Sequence, residues 1–263
     1  MDTSLSFANV LEWLNDPANW QGADGIIARL GQQVYYAIIA VVIAVVIAIP
    51  LGLVIGHTGR GVVVVAGMAN ALRAIPTFGL LIYLVVLISP KIHSKGELPY
   101  LLPTEIVLVL LAIPPILTST YAGVQNVDLA VRDAAKGMGM TGSQVVRKVE
   151  FPNALPLVLS GTRSATLQVI ATATVAAYVT LGGLGRYLVD GLSQLNDPQA
   201  GYPAMAAGAI LVALLAIVAD LLFAIAQRFL VPRGVSGRFR TTAKAAAPTS
   251  VSAGPMEVTV GPS

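Results

Sequence analysis

The chain contains no cysteine, which excludes disulfides and thiolate-based metal or redox chemistry. Charge is scarce as well. Asp, Glu, Lys and Arg make up 11% of its 263 residues, against roughly 25% in a soluble domain. Histidine occurs only at His57 and His93, which are expected in separate loops, so no histidine-based metal site is expected. The phosphate-cradling pattern G-x-x-x-x-G-K-[ST] is absent, so no P-loop for ATP is expected in this chain. Aromatic residues amount to 6% and do not cluster within the apolar stretches. An aromatic cage of the kind that holds quaternary ammonium ligands is therefore not expected here. The net charge of +3 is too small to indicate nucleic acid.

What is present is apolar. The chain is 56% hydrophobic with a mean hydropathy of +0.77. Five runs stand out, at about 34–55, 64–89, 100–122, 155–180 and 204–230. Each reaches the ~20 residues that cross a hydrocarbon core of ~30 Å. Strands of a membrane barrel would be shorter and alternating. The fold class is therefore all-α and polytopic, with about five transmembrane helices in a domain over 31–232. Residues 1–30 lack the basic region of a signal peptide. They read as an acidic, tryptophan-bearing amphipathic segment at the external interface. The stretch 233–263, rich in Ala, Pro, Thr and Ser, reads as a disordered tail.

Five spans put the two ends of the chain on opposite sides. With the C-terminus inside, the cytoplasmic side holds Arg60, Arg132, Lys136, Arg147, Lys148, Arg228, Arg233, Arg238, Arg240 and Lys244, against Arg29, Lys91, Lys95 and Arg186 outside. Positive charge prefers the cytoplasm, so an external N-terminus in a multi-pass plasma membrane protein is expected.

One polar island interrupts the apolar runs: "RDAAKGMGMTGSQVVRKVEFPNALP", residues 132–156. Just before and within it, Val127, Val131, Ala134 and Met138 fall at helical spacing and form one apolar stripe. Gly137 and Gly139 end that helix. Thr141 with Gln144 three residues on fits a capping box, so a second helix is expected from about Gly142. It stops where Pro152 and Pro156 open the next span. "GMGMTG" also matches G-x-G-x-x-G, but a dinucleotide site needs a preceding strand. The island is thus a helical hairpin over 126–156. Its apolar stripe favours a docking element over a bare connector, and the residues alone leave both readings open.

The island resembles the EAA loop of the permease subunits of binding-protein-dependent ABC importers, E-A-A-x3-G-x9-I-x-L-P. Asp133, Ala134 and Ala135 stand for the opening triplet, and Gly139 is the glycine at the required spacing. Val149, Glu150, Phe151 and Pro152 stand for the closing I-x-L-P. "RAIPTFGLL" (73–81), "SGTRSATLQVIATATVAAYVTLGGLG" (160–185) and "AIVADLL" (216–222) are most similar to permeases for glycine betaine, choline and related osmoprotectants. The resemblance implies a type I importer fold with no catalytic residues of its own. It implies docking of Asp133, Ala134, Ala135, Gly137, Gly139, Thr141, Val149, Phe151 and Pro152 on a cytoplasmic ATPase dimer that binds the ATP and Mg. It further implies a second permease copy or paralogue and an external substrate-binding protein. Glycine betaine, choline, carnitine and proline are the substrates it suggests.

Arg73, Arg163 and Asp220 are expected within the membrane, where ionisable groups are costly and usually paired. Asp220 is read as the one buried acid. It is expected to pair with Arg163, or else with Arg73, as a helix-to-helix tie or as part of a substrate path. Pro76, Pro114 and Pro115 are expected to interrupt their spans, as passive kinks or as hinges. "LGGLGRYL" (181–188) is expected to make a compact external turn. An ion-coupled transporter would favour an internal repeat and several intramembrane acids, and a membrane-embedded enzyme a base or ligands at fixed spacing. Neither pattern is found.

Overall fold

The computed structural model describes residues 7–195 and 201–231, and every long element in them is a helix. The tail from 233 lies outside the described residues. A short α1 (Phe7–Asn15) is followed by α2 (Ile26–Thr58), whose 33 residues make about 50 Å of helix at 1.5 Å per residue. α2 ends because Gly59 takes a left-handed conformation and turns its N–H back to the Ile55 carbonyl. Along α2 the buried face is a column of small residues: Ala37, Ala40, Ala44, Ala48, Gly52 and Gly56. That column lets α5 (Leu98–Gln125) approach closely, as small residues do between membrane helices. A Cβ on Gly52 or Gly56 would lie 2.6 Å from the side chains of Thr120 and Val124 respectively.

The span expected at 64–89 is two helices, α3 (Val62–Ala74) and α4 (Thr77–Ile88). Ile75 between them is extended (φ −74°, ψ 126°), because Pro76 disfavours the helical region for the residue before it and offers no N–H. Pro114 and Pro115 act differently. The expected interruption is not found, for α5 runs through them and through Pro103 without a break. The Thr118 hydroxyl donates to the Pro114 carbonyl at 2.8 Å, an i−4 back-bond within the continuing helix.

After α5 come the hairpin helices α6 (Leu129–Gly137) and α7 (Gly142–Val145), then α8 (Phe151–Ala173), which tightens into a 3₁₀ stretch over Thr174–Val179. α9 (Gly185–Ser193) and α10 (Gly201–Leu230) complete the described chain. Singly, α2, α5 and α10 are long and apolar enough to cross a membrane. α8 is long but carries Arg163 and several hydroxyl side chains, and α3 and α4 are each too short.

The core is the contact of α2, α5 and α8, with Tyr36, Ala44, Leu108, Ile116, Ala165 and Val169 buried in it. At one end of this bundle the last turns of α2 and α5 meet the start of α8 and the hairpin. At the other, Gln33 Nε2 donates to the Ile170 carbonyl at 2.8 Å, and its Oε1 accepts from the Leu184 N–H at 3.2 Å. The "LGGLG" stretch is thus not an exposed turn. Leu181 to Gly185 are buried, pinned to the start of α2 by Gln33 and by Gln32, which accepts from the Gly183 N–H. α1 joins this end, packed on α10 with Trp13 edge-on to Tyr187 of α9. The Tyr187 hydroxyl donates to the Asp24 carbonyl at 2.8 Å, and burial raises its phenol above its ordinary value.

Candidate functional site

The hairpin is built by local rules. Asp128 caps α6 by accepting the Ala130 N–H at 3.0 Å. α6 ends at Gly137, and Gly139 with φ 82° turns the chain where a side chain would be strained. The Thr141 N–H donates to Gln144 Oε1 at 2.9 Å, one half of the capping box that opens α7. Over Val146–Glu150 the helix widens into a π-turn, with the Phe151 N–H reaching the Val146 carbonyl five residues back. Such turns are rare and concentrate at functional places.

Most of the apolar stripe is left uncovered by the chain itself. Val127 and Ala135 are buried, but Val131 and Ala134 point outward with Leu129 and Met138, which are 70% and 71% exposed. What turns inward is Arg132, because its partners lie beneath. It donates to the Val124 carbonyl in the last turn of α5, and its Nε lies 3.2 Å from Glu150 Oε1. That Nε contact has ion-pair distance without hydrogen-bond alignment. Two large apolar side chains are left outside, Leu129 in the first turn of α6 and Met138 just past its end.

Among the residues that carry the EAA resemblance, Asp133, Ala134, Gly137, Gly139 and Thr141 are exposed, and Ala135 is buried beneath them. Val149, Phe151 and Pro152 are half-buried at the root where the hairpin joins α8. Tip and root are distinct places.

Glu150 is the residue that pattern reading missed. It is 0% exposed, and both of its oxygens meet His57 Nδ1, at 2.9 and 3.0 Å. His57, expected in a loop, is in the last turn of α2. Glu150 therefore ties α2, α6 and the root of α8 together, and through Arg132 the end of α5 as well. Its one signal in the sequence was an acid in the unspecified slot of I-x-L-P, between apolar neighbours.

In the spans, Arg163 of α8 and Asp220 of α10 form a two-pronged pair, Nε to Oδ1 and Nη2 to Oδ2, both 2.5 Å. Both are about one-third exposed, so the tie lies at the edge of the helix contact. Arg73 is in the last turn of α3, and its side chain lies outside the described residues. Asp220 is not the buried acid it was expected to be. That is Glu105 in α5, 9% exposed with both carboxylate oxygens unpartnered among the described residues. A single acid inside "LLPTEIVLVLL" was the available signal. Beside the break at Pro76, Phe78 packs edge-on against Tyr178 with ring centroids 5.4 Å apart, both about half exposed. The fold thus pairs two aromatics that are far apart in sequence.

The family described as "Binding-protein-dependent transport system inner membrane component" matches residues 48–232. The glycine betaine/carnitine/choline transport system permease protein OpuCB of Bacillus subtilis is 32% identical over 212 residues, 81% of this chain and 91% of that protein. The osmoprotectant import permease protein OsmW of Salmonella typhimurium is 34% identical over 207 residues, 78% of this chain and 91% of that one. Among solved structures, an inward-facing form of the MetNI methionine ABC transporter matches with a TM-score of 0.64 at 19% identity. It covers 79% of this chain and 96% of that one, a likeness of fold.

Proposed function

The chain belongs to the binding-protein-dependent transport system inner membrane components, as a non-catalytic permease subunit of an ABC importer, and from that premise we propose how it works and on what. The hairpin tip is the dock for a cytoplasmic ATPase dimer, which binds the ATP and Mg. Its closure moves the hairpins and switches the spans between inward- and outward-facing states. One observation carries this reading: Leu129 and Met138 stand exposed on a short, fully capped hairpin, at the end where α2, α5 and α8 converge. Exposed apolar side chains on an ordered projection fit a partner's groove. In this reading Asp133, Ala134 and Gly139 face the ATPase directly, and Ala135 lets α6 lie close to its own support. That end is cytoplasmic, which puts α1 and α9 outside with the binding protein.

A second permease, the same chain or a paralogue, is supported by the break at Pro76. α3 is 13 residues long, so the break comes about 20 Å along the span. Ile75 and Pro76 are exposed in the single chain, whereas irregular backbone at membrane depth is tolerated only against protein or a water-filled path. The partner or the pathway between the two covers it.

The substrate is a small osmoprotectant of the glycine betaine, choline, carnitine or proline type, delivered by the external protein. The support is the named substrates of the permeases it resembles. The test is reconstitution of the permeases with ATPase and binding protein in liposomes, followed by ATP-dependent uptake of each labelled solute. Uptake of at least one, abolished with ATPase release by Gly139→Trp, is the expected result. Normal uptake and ATPase association in that variant sink the docking reading. Uptake of none of the four sinks the substrate reading.

A further inference from the structure

Beneath the hairpin lies a charged joint that nothing in the docking reading uses. Glu150 is fully buried, and it is held from two directions: by His57 at the end of α2 and by Arg132 on α6. Arg132 also donates to the Val124 carbonyl at the end of α5. Gly142 at the start of α7 lies close to the His57 ring, whose side chain is 28% exposed. The π-turn puts Glu150 into the bundle while Arg147 and Lys148, in the same turn, stay exposed. A buried charge is costly unless paired and hydrogen-bonded. A rigid connection made of apolar packing would have been simpler, so the retained charges suggest specificity of position.

We propose that Glu150, Arg132 and His57 form the linkage that makes the hairpin and the inner ends of α2, α5 and α8 move as one body. The three are positioning residues for coupling. They neither touch the ATPase nor line the substrate path. Without Glu150 the hairpin still docks and ATP is still hydrolysed, but the hairpin swivels at its root and its displacement is lost before it reaches the spans. This rests on the proposed docking at the hairpin tip.

The test uses the complete transporter in liposomes, wild type beside Glu150→Gln, Arg132→Lys and His57→Gln. If the wild-type complex does not assemble or import, the docking reading fails and the linkage has not been reached. If it works, Glu150→Gln is expected to keep ATPase association and hydrolysis within about twofold while the ATP consumed per solute imported rises about tenfold, in the range by which mutations between sites alter coupling. Arg132→Lys and His57→Gln, which retain a donor, recover part of the ratio. A purely structural joint would instead lower assembly, hydrolysis and uptake together. If Glu150→Gln does not fold, the apolar pair Arg132→Met with Glu150→Met replaces it, since buried ion pairs can often be exchanged for apolar residues without loss of stability.

A second readout follows from the absence of cysteine, which permits direct spin labelling. Labels at Thr58→Cys and Ser143→Cys bracket the joint. Their distance distribution is expected to be the same in nucleotide-free and ATP-bound wild type, and to broaden in the Glu150→Gln background. A wild-type distance that changes on ATP binding, or an unaltered ATP-to-solute ratio in Glu150→Gln, overturns the linkage.

Discussion

A single methyl group added at Gly56 has nowhere to go. The new Cβ would sit 2.6 Å from the side chain of Val124, which is itself fully buried. Gly56→Ala is therefore expected to cost about 1–3 kcal/mol, the usual price of overpacking. Thermal unfolding in detergent checks it, and adding Val124→Ala should regain only part of the loss, because the nearest atom, the Val124 Cβ, stays in place. Glu105 calls for the opposite expectation. Its buried carboxyl has no partner among the described residues, so Glu105→Leu removes a desolvation cost and should leave the protein at least as heat-resistant. Uptake by that stable variant then reports whether Glu105 also acts in passage. At this scale the sequence was readable where chemistry needs a spacing, and opaque where it needs a tertiary meeting. Arg163 and Asp220 could be matched because both are charges within apolar runs at similar depth. Glu150 and His57 could not, because 93 residues separate them and no spacing rule links the end of α2 to the root of α8.

Elements followed local rules more faithfully than faces did. The capped start of α7, the glycine turn before it and the proline break before α4 were all legible, since each depends on residues within four positions. What α6 turns inward was not. The stripe marked a face for a partner to cover, but no spacing showed that Arg132 would find its acid and its carbonyl inside. Likewise Pro114 and Pro115 gave no sign that α5 would run through them unbroken. One element holds strain that can be released. Thr180, which ends the 3₁₀ stretch, has φ 69°, a conformation that costs a residue with a side chain about 1–2 kcal/mol. Thr180→Gly should raise the unfolding midpoint by about 2–4 °C per kcal/mol recovered. A lowered midpoint would mean that the threonine side chain holds the buried "LGGLG" stretch in place.

For the whole molecule, charge distribution and helix packing make the same claim about direction. The basic hairpin lies at one end of the bundle, and α1 with Glu12 and Asp16 at the other. In a chain without cysteine, a single Glu12→Cys should react with a membrane-impermeant maleimide on intact cells. A single Lys148→Cys should react only after the membrane is opened. The reverse pattern would invert the molecule and remove the ATPase from the hairpin. Fold class was legible from composition because five long apolar runs admit few alternatives. Which ends converge was not, since that depends on Gly52 and Gly56 meeting α5 and on Gln33 reaching across to α8.

The divided span has a consequence for how the protein is made. α3 and α4, at 13 and 12 residues, each fall short of the ~20 that a nascent chain needs to leave the translocon for lipid unaided. Both pack against α5, which is synthesised after them. The segment 62–88 should therefore stay beside the insertion machinery until Leu98–Gln125 emerges to receive it. Chains truncated before residue 98 should lose this segment to alkaline extraction or proteolysis, and chains extending past residue 125 should retain it. Biogenesis of this subunit thus hinges on one proline and on the arrival of its neighbour.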